Sequence, residues 1–160
     1  MIDLLLDGIY AAAAAVGFAA ISNPSRRTFP YIAAIAATGH MVRFALMTWL
    51  GIGIVTASLI GASCIGVCAI RVAPHTRSVP ETFSYPALLP MIPGMYACRW
   101  VQATWLMSTV TDNEPLFMHY CGLSISNGFT AMMVVCALFI GQIWPTMIWH
   151  RIVFSSTKND

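Results

Sequence analysis

Four polar side chains, His40, Arg43, Arg99 and Asn127, stand inside runs of apolar residues long enough to cross a membrane. An imidazole, with an ordinary pKa of ~6.5, takes up and gives back a proton near neutral pH. A guanidinium is a fixed cation that suits a carboxylate. The stretch YPALLPMIPGMYACRW, residues 85 to 100, adds a third kind of chemistry, because Pro86, Pro90, Pro93 and Gly94 interrupt what would otherwise be helix. Pro90 and Pro93 each lack an N–H and crowd the carbonyl four residues back, which frees acceptors near Pro86 and Leu89. In lipid such broken backbone survives only when protein covers it or water reaches it. The helix restarting at Met95 would present N–H groups with partial positive charge, a fitting place for a carboxylate.

At a rise of ~1.5 Å per residue, His40 is ~15 Å and Pro93 with Gly94 ~14 Å from the cytoplasmic starts of their runs, while Asn127 reaches ~16 Å from the opposite side. Three segments thus bring polar or broken backbone to one level. Arg43 and Arg99 come higher, ~20 Å from the same face by the same count. No acidic residue is expected at that depth, so the formal charge there is positive. The expected ligand is therefore an anion, or a zwitterion held by its carboxylate, close to Pro90, Pro93 and Gly94. Packing offers a plainer account of each residue: a kink filled by neighbours, a histidine hydrogen-bonded across helices, or arginines that reach up to the headgroups.

The elements that must position these residues follow from composition. Only fourteen of 160 side chains are Asp, Glu, Lys or Arg, and apolar types make up 58%, which points to a membrane protein. A helical span takes ~20 mostly apolar residues, and five candidates emerge: 4–21, 30–50, 53–70, 84–110 and 116–149. The expected fold is all-α, a polytopic bundle of about five spans in one integral membrane domain over residues 1–160, its fourth helix broken by Pro and Gly. The last run exceeds one span, and Gln142, Trp144, Pro145 and Trp149 are expected near the interface.

Asp3 and Asp7 stand where a signal peptide would be basic, so the first run is expected to be retained. Arg26 and Arg27, Arg71 and Arg77, then Arg151 and Lys158 follow alternate spans, whereas the intervening loops carry only Asp112 and Glu114. This bias predicts an outside N-terminus and a cytoplasmic C-terminus. Ala11, Ala15 and Ala19, Ala33 and Ala37, Ala57 and Gly61, and Ala62 and Gly66 recur every four residues, which suits close helix packing. No internal repeat is evident, so a second half, where the fold needs one, is expected on another chain.

Other functions find little support. Cys64 and Cys68 suit packing better than a four-ligand metal site, and no glycine-rich phosphate loop, zinc-protease helix or serine elbow appears. The few basic residues form no stripe with aromatics, so nucleic acid is not an expected partner. Haem held by His40 and His119 fails on depth, as His119 is only ~4 Å inside the outer boundary. Neither cofactor nor metal is expected.

Three stretches, VGFAAISNPSRR at 16–27, TGHMVRFALM at 38–47 and PALLPMIPGMYACR at 86–99, resemble the small membrane subunit of the threonine/serine exporter family. The resemblance covers nearly the whole chain. It implies export of small carboxylates or amino acids, of the succinate or threonine/serine type, across the bacterial inner membrane. It further implies a larger partner subunit of the same family and protons as coupling ion. The matching positions are Gly17, Phe18, Asn23, Gly39, His40, Arg43, Pro90, Pro93 and Gly94. Two departures stand out: Pro24 follows Asn23 directly, and Cys98 occupies a place where an aromatic is frequent. A scaffolding subunit that never touches substrate is the alternative.

Overall fold

A computed structural model describes residues 2–21, 25–76, 78–111 and 113–157, with side chains as far as residue 148. Asn23, Pro24, Arg77, Asp112, Lys158 and the side chains of Trp149 and Arg151 lie outside the described residues. Six helices follow one another among the described residues: α1 (Ile2–Ile21), α2 (Phe29–Trp49), α3 (Ile54–Thr76), α4 (Glu81–Leu88), α5 (Gly94–Thr109) and α6 (Glu114–Thr157), with a short 3₁₀ turn at Leu89–Met91 between α4 and α5. No strand occurs among the described residues. The chain is an all-helical membrane protein. Within α1, α2, α3 and the Glu114–Ile148 part of α6, length and apolarity suffice to cross a bilayer. The fourth expected span, 84–110, is not one continuous helix: the run is divided among α4, the 3₁₀ turn and α5, of 8, 3 and 16 residues.

Helix boundaries follow local chemistry. Thr28 closes the turn before α2, its N–H and Oγ1 both donating to the Ser25 carbonyl at 2.9 and 2.6 Å. Pro30 then sits in the first turn of α2, where its missing N–H costs nothing. After α2, Gly51 takes φ +63°, a left-handed value that a side chain would oppose. α3 runs six residues past its expected end, with Pro74 inside its last turn. α6 continues through Pro145 to Thr157, well beyond the expected 149.

Two compact units result: Met1–Met91 with Ala137–Asp160, and Ile92–Cys136. In the first, α1 buries Gly8, Ala11, Ala15 and Ala19, the small-residue face expected. α3 likewise buries Ala57, Gly61, Ala62 and Gly66. α2 turns a neighbouring stripe inward, burying Ile32, Ile35, Ala36 and Gly39 and leaving Ala33 and Ala37 half-buried. Small residues let backbones meet here. A Cβ on Gly61 would stand 3.0 Å from the Gly39 carbonyl oxygen and 3.3 Å from both Arg43 Cβ and Met91 Cε.

The last part of α6 is fastened to α3 and α4 in the same unit. A Cβ on Gly141 would come within 2.5 Å of the Leu59 carbonyl. Gln142 Nε2 donates to Ser84 Oγ at 2.8 Å, and Trp144 Nε1 to Ser63 Oγ at 2.8 Å. Gln142 is 3% exposed, so it is an interior clasp. In the second unit α5 pairs with the first part of α6, through Thr104 Oγ1 and Ser124 Oγ at 2.7 Å and through the Trp100 indole lying over Gly128.

Candidate functional site

α1 and α2 form an antiparallel hairpin in which Gly8 abuts Met41, a Cβ there standing 2.9 Å from the Met41 sulfur. The preceding residue of each helix makes the central contact: His40 Nδ1 lies 3.2 Å from Asp7 Oδ2. With Asp7 ionised, Nδ1 carries the hydrogen and the carboxylate accepts it. The His40 side chain is 13% exposed and that of Asp7 33%, so the carboxylate is the more open end of the pair. An acidic residue does therefore reach the level of His40. The expectation that none would rested on Asp7 being a blemish in an apolar run, whereas tertiary pairing gives it a partner 33 residues on.

Arg43 follows His40 by three residues, on the same face of α2. Its Nη1 donates to the carbonyl of Met91 at 2.9 Å. The break in the fourth segment thus has a specific satisfier. Pro86 remains within α4, the Leu89 N–H donates to the Tyr85 carbonyl, and the freed acceptor that matters is that of Met91, whose side chain is fully buried. The Gly39–Gly61 crossing holds Arg43 where it can do this, since α3 presents bare backbone to its Cβ.

Two buried polar atoms near this cluster make no hydrogen bond among the described residues: His40 Nε2 and Ser58 Oγ. The Pro90 carbonyl lies beside the His40 ring without completing a hydrogen bond to Nε2. Ser58, wholly buried, precedes Gly61 by one turn on α3. Buried polar groups are normally satisfied, so such atoms mark a place where a proton, water or ligand group would be accommodated.

Of the residues singled out by sequence, His40, Arg43 and Pro90 belong to this one cluster, joined by Asp7 and Met91. Pro93, Gly94, Arg99 and Asn127 belong to the second unit. Pro93 (φ −78°, ψ 61°) turns the chain into α5. A Cβ on Gly94 would meet no atom within 4 Å, so crowding does not demand glycine there. Arg99 is exposed on α5. Asn127 donates its Nδ2 to the Leu123 carbonyl of its own helix at 2.7 Å. No three His, Cys, Asp or Glu side chains converge among the described residues. A cavity of about 480 Å³, lined by Ser25, Arg27, Thr28, Tyr31, His75 and Thr76, opens where α2 starts and α3 ends.

The site can stabilise opposite charges a helical turn apart and exchange a proton between them and water. A model of the family described as Threonine/Serine exporter, ThrE, matches residues 7–148. A Haemophilus influenzae protein described as uncharacterized is 28% identical over 151 residues, covering 94% of this chain and 49% of that protein. The chain thus spans about half the length of the curated relative it matches. No solved structure matches the chain.

Proposed function

Because the chain belongs to the threonine/serine exporter family, a family of transporters, we propose that it is one subunit of a secondary transporter that exports small carboxylates or amino acids. Threonine, serine and succinate represent the substrate class. The observation that carries this reading is the group of ionisable side chains in the apolar bundle, Asp7 against His40 at 3.2 Å and Arg43 on the Met91 carbonyl. Intramembrane charge is costly, and where it occurs it marks ion and substrate paths. Arg43 is the candidate for holding a substrate carboxylate, and Arg99, Asn127, Pro93 and Gly94 are candidate substrate contacts of the second unit. The cavity beside Arg27 and His75 is the proposed entrance from the cytoplasm. Protons drive the cycle.

The chain's membrane is the bacterial inner membrane, with the N-terminus outside and the C-terminus in the cytoplasm. Its partner is a larger membrane subunit of the same family. The bond from Arg43 to Met91 is also what a scaffolding subunit would need to seal its own kink, and this favours the alternative that the chain supports a partner without meeting substrate. Export decides between them. Cells carrying chain and partner should release threonine or succinate faster than cells lacking the chain, and Arg43→Lys should raise the KM for export with assembly intact. Unchanged export kinetics in that variant would leave only the scaffold, and export by liposomes holding this chain alone would remove the need for a partner.

A further inference from the structure

We infer that the cavity where α2 starts and α3 ends is an oxyanion site, in which Arg27 takes a carboxylate or phosphate group and the hydroxyls of Ser25 and Tyr31 complete its hydrogen bonds. Only the identity of the free ligand as cargo rests on the transporter reading given above. The cavity has a volume of about 480 Å³, within the range of small-ligand sites. Ser25, Arg27, Thr28 and Tyr31 form one wall, His75 and Thr76 the other. Arg27 is the constant formal charge on this lining, and neither Asp nor Glu is part of it.

Some donors of this lining are already committed. Thr28 Oγ1 donates to the Ser25 carbonyl, Thr76 Oγ1 to the Ala73 carbonyl at 3.2 Å, and His75 Nδ1 to the Arg71 carbonyl at 3.1 Å. The Arg27 guanidinium, Ser25 Oγ and Tyr31 Oη have no such partner among the described residues. These free donors are also held in position. The turn from Ser25 to Thr28 closes twice on the Ser25 carbonyl, which fixes the backbone that carries Arg27. The Tyr31 ring stands edge-on to Phe83, with centroids 6.5 Å apart, and Phe83 is fully buried while Tyr31 is 42% exposed. A guanidinium meets a carboxylate or a phosphate with two parallel N–H bonds, and hydroxyls add donors beside it. An ammonium group would find Arg27 repelling it and no carboxylate to receive it. A zwitterion therefore opposes its own attraction, whereas both ends of a dicarboxylate are drawn in. The phosphate of an anionic lipid offers the same oxygens, and α2 and α3, each long and apolar enough to cross a bilayer, bring their ends to the level of the head groups.

Arginine labelling tests this on the purified full chain in maltoside micelles, which contain no phosphate. Phenylglyoxal modifies accessible guanidinium groups, and fragment mass spectrometry separates Arg27 from Arg26, which is exposed but not part of the lining. Succinate at about ten times its dissociation constant should slow labelling of Arg27 about tenfold and leave Arg26 unchanged. Threonine at the same concentration should slow Arg27 less than about twofold. Ser25→Ala and Tyr31→Phe should each weaken the protection by succinate about threefold or more. Phosphatidylglycerol added to the micelles separates the two sources of oxyanion. Slowing by this lipid with none by succinate keeps the oxyanion site, gives it to lipid phosphate and overturns cargo as its ligand. Threonine that protects as well as succinate overturns the preference for dicarboxylates. Arg26 and Arg27 labelled in step under both succinate and phosphatidylglycerol overturn the site. Everted vesicles then separate site from transport: succinate uptake with Arg27 unprotected overturns the site alone, and protection of Arg27 without uptake above vesicles lacking the chain overturns the transporter reading alone.

Discussion

Arg43→Gln isolates what the guanidinium does for the broken helix. The bond lost is charge-assisted, 2.9 Å from Nη1 to the Met91 carbonyl, and bonds of this kind contribute ~1.5–3 kcal/mol net. The glutamine amide is shorter and uncharged. The acceptor it abandons belongs to a residue whose side chain is fully buried, so water does not readily replace the donor. At ~2 kcal/mol the opening equilibrium of the break should rise ~30-fold, since ~1.4 kcal/mol is a factor of ten. Amide hydrogen exchange reads that equilibrium directly. In detergent, peptides covering residues 88–97 should exchange ~30-fold faster in the variant, while peptides from 129–136 in α6 keep their rate. A change below about threefold across 88–97 would mean that Arg43 does not hold the break closed, and the link between α2 and the fourth segment would have to be abandoned.

Two further substitutions probe how the site is framed. Gly61→Val forces branches into a crossing where a bare Cβ already stands 3.0 Å from the Gly39 carbonyl oxygen; overpacking costs ~1–3 kcal/mol, and thermal unfolding in detergent should begin ~2–4 °C or more earlier. An unchanged melting curve would mean that the α2–α3 crossing is looser than described. Ser84→Ala strands the buried Gln142 Nε2 and should cost ~1–3 kcal/mol, whereas Ser84→Ala with Gln142→Met removes both partners and should recover most of that loss. Equal losses in the single and double variants would refute the clasp.

How much of this could be read from the chain depends on how far apart the deciding residues are. Apolar runs and local breakers act within a few residues, so α1 and α2 begin and end within two residues of expectation and the break at Pro90 to Gly94 is where the prolines put it. The buried face of α2 was harder. Alanine spacing favoured Ala33 and Ala37, but packing on several sides selected Ile32, Ile35, Ala36 and Gly39. α3 and α6 outran expectation because the expected bounds follow apolarity and stop before Arg71 and His150, whereas helical backbone continues through polar residues. Asp7 escaped notice because its value lies wholly in a partner on another helix. Folding the hairpin back from residues 21 and 29 would have placed position 7 opposite about 43, within a turn of His40, so the clue was register, not composition. The Gln142–Ser84 clasp joins positions 58 apart, and no local pattern announces it.

The Asp7–His40 contact also bears on how the protein is made. Synthesis proceeds from the N-terminus, so the ribosome finishes Asp7 before its counterpart on α2 exists. At ~5–20 residues per second, the 33 positions between them correspond to a delay of ~2–7 s. During that interval α1 would carry a lone carboxylate into the bilayer, at a translocon cost that is ~2.5–3.5 kcal/mol at a helix centre and smaller for Asp7, in the second turn of α1. Waiting for α2 avoids the penalty, because the two helices can then enter as a pair with the acid already matched to the imidazole. Insertion of α1 should thus depend on what is translated after it, and a nascent chain stopped before His40 should leave its first helix at the membrane surface more often than one stopped after Trp49.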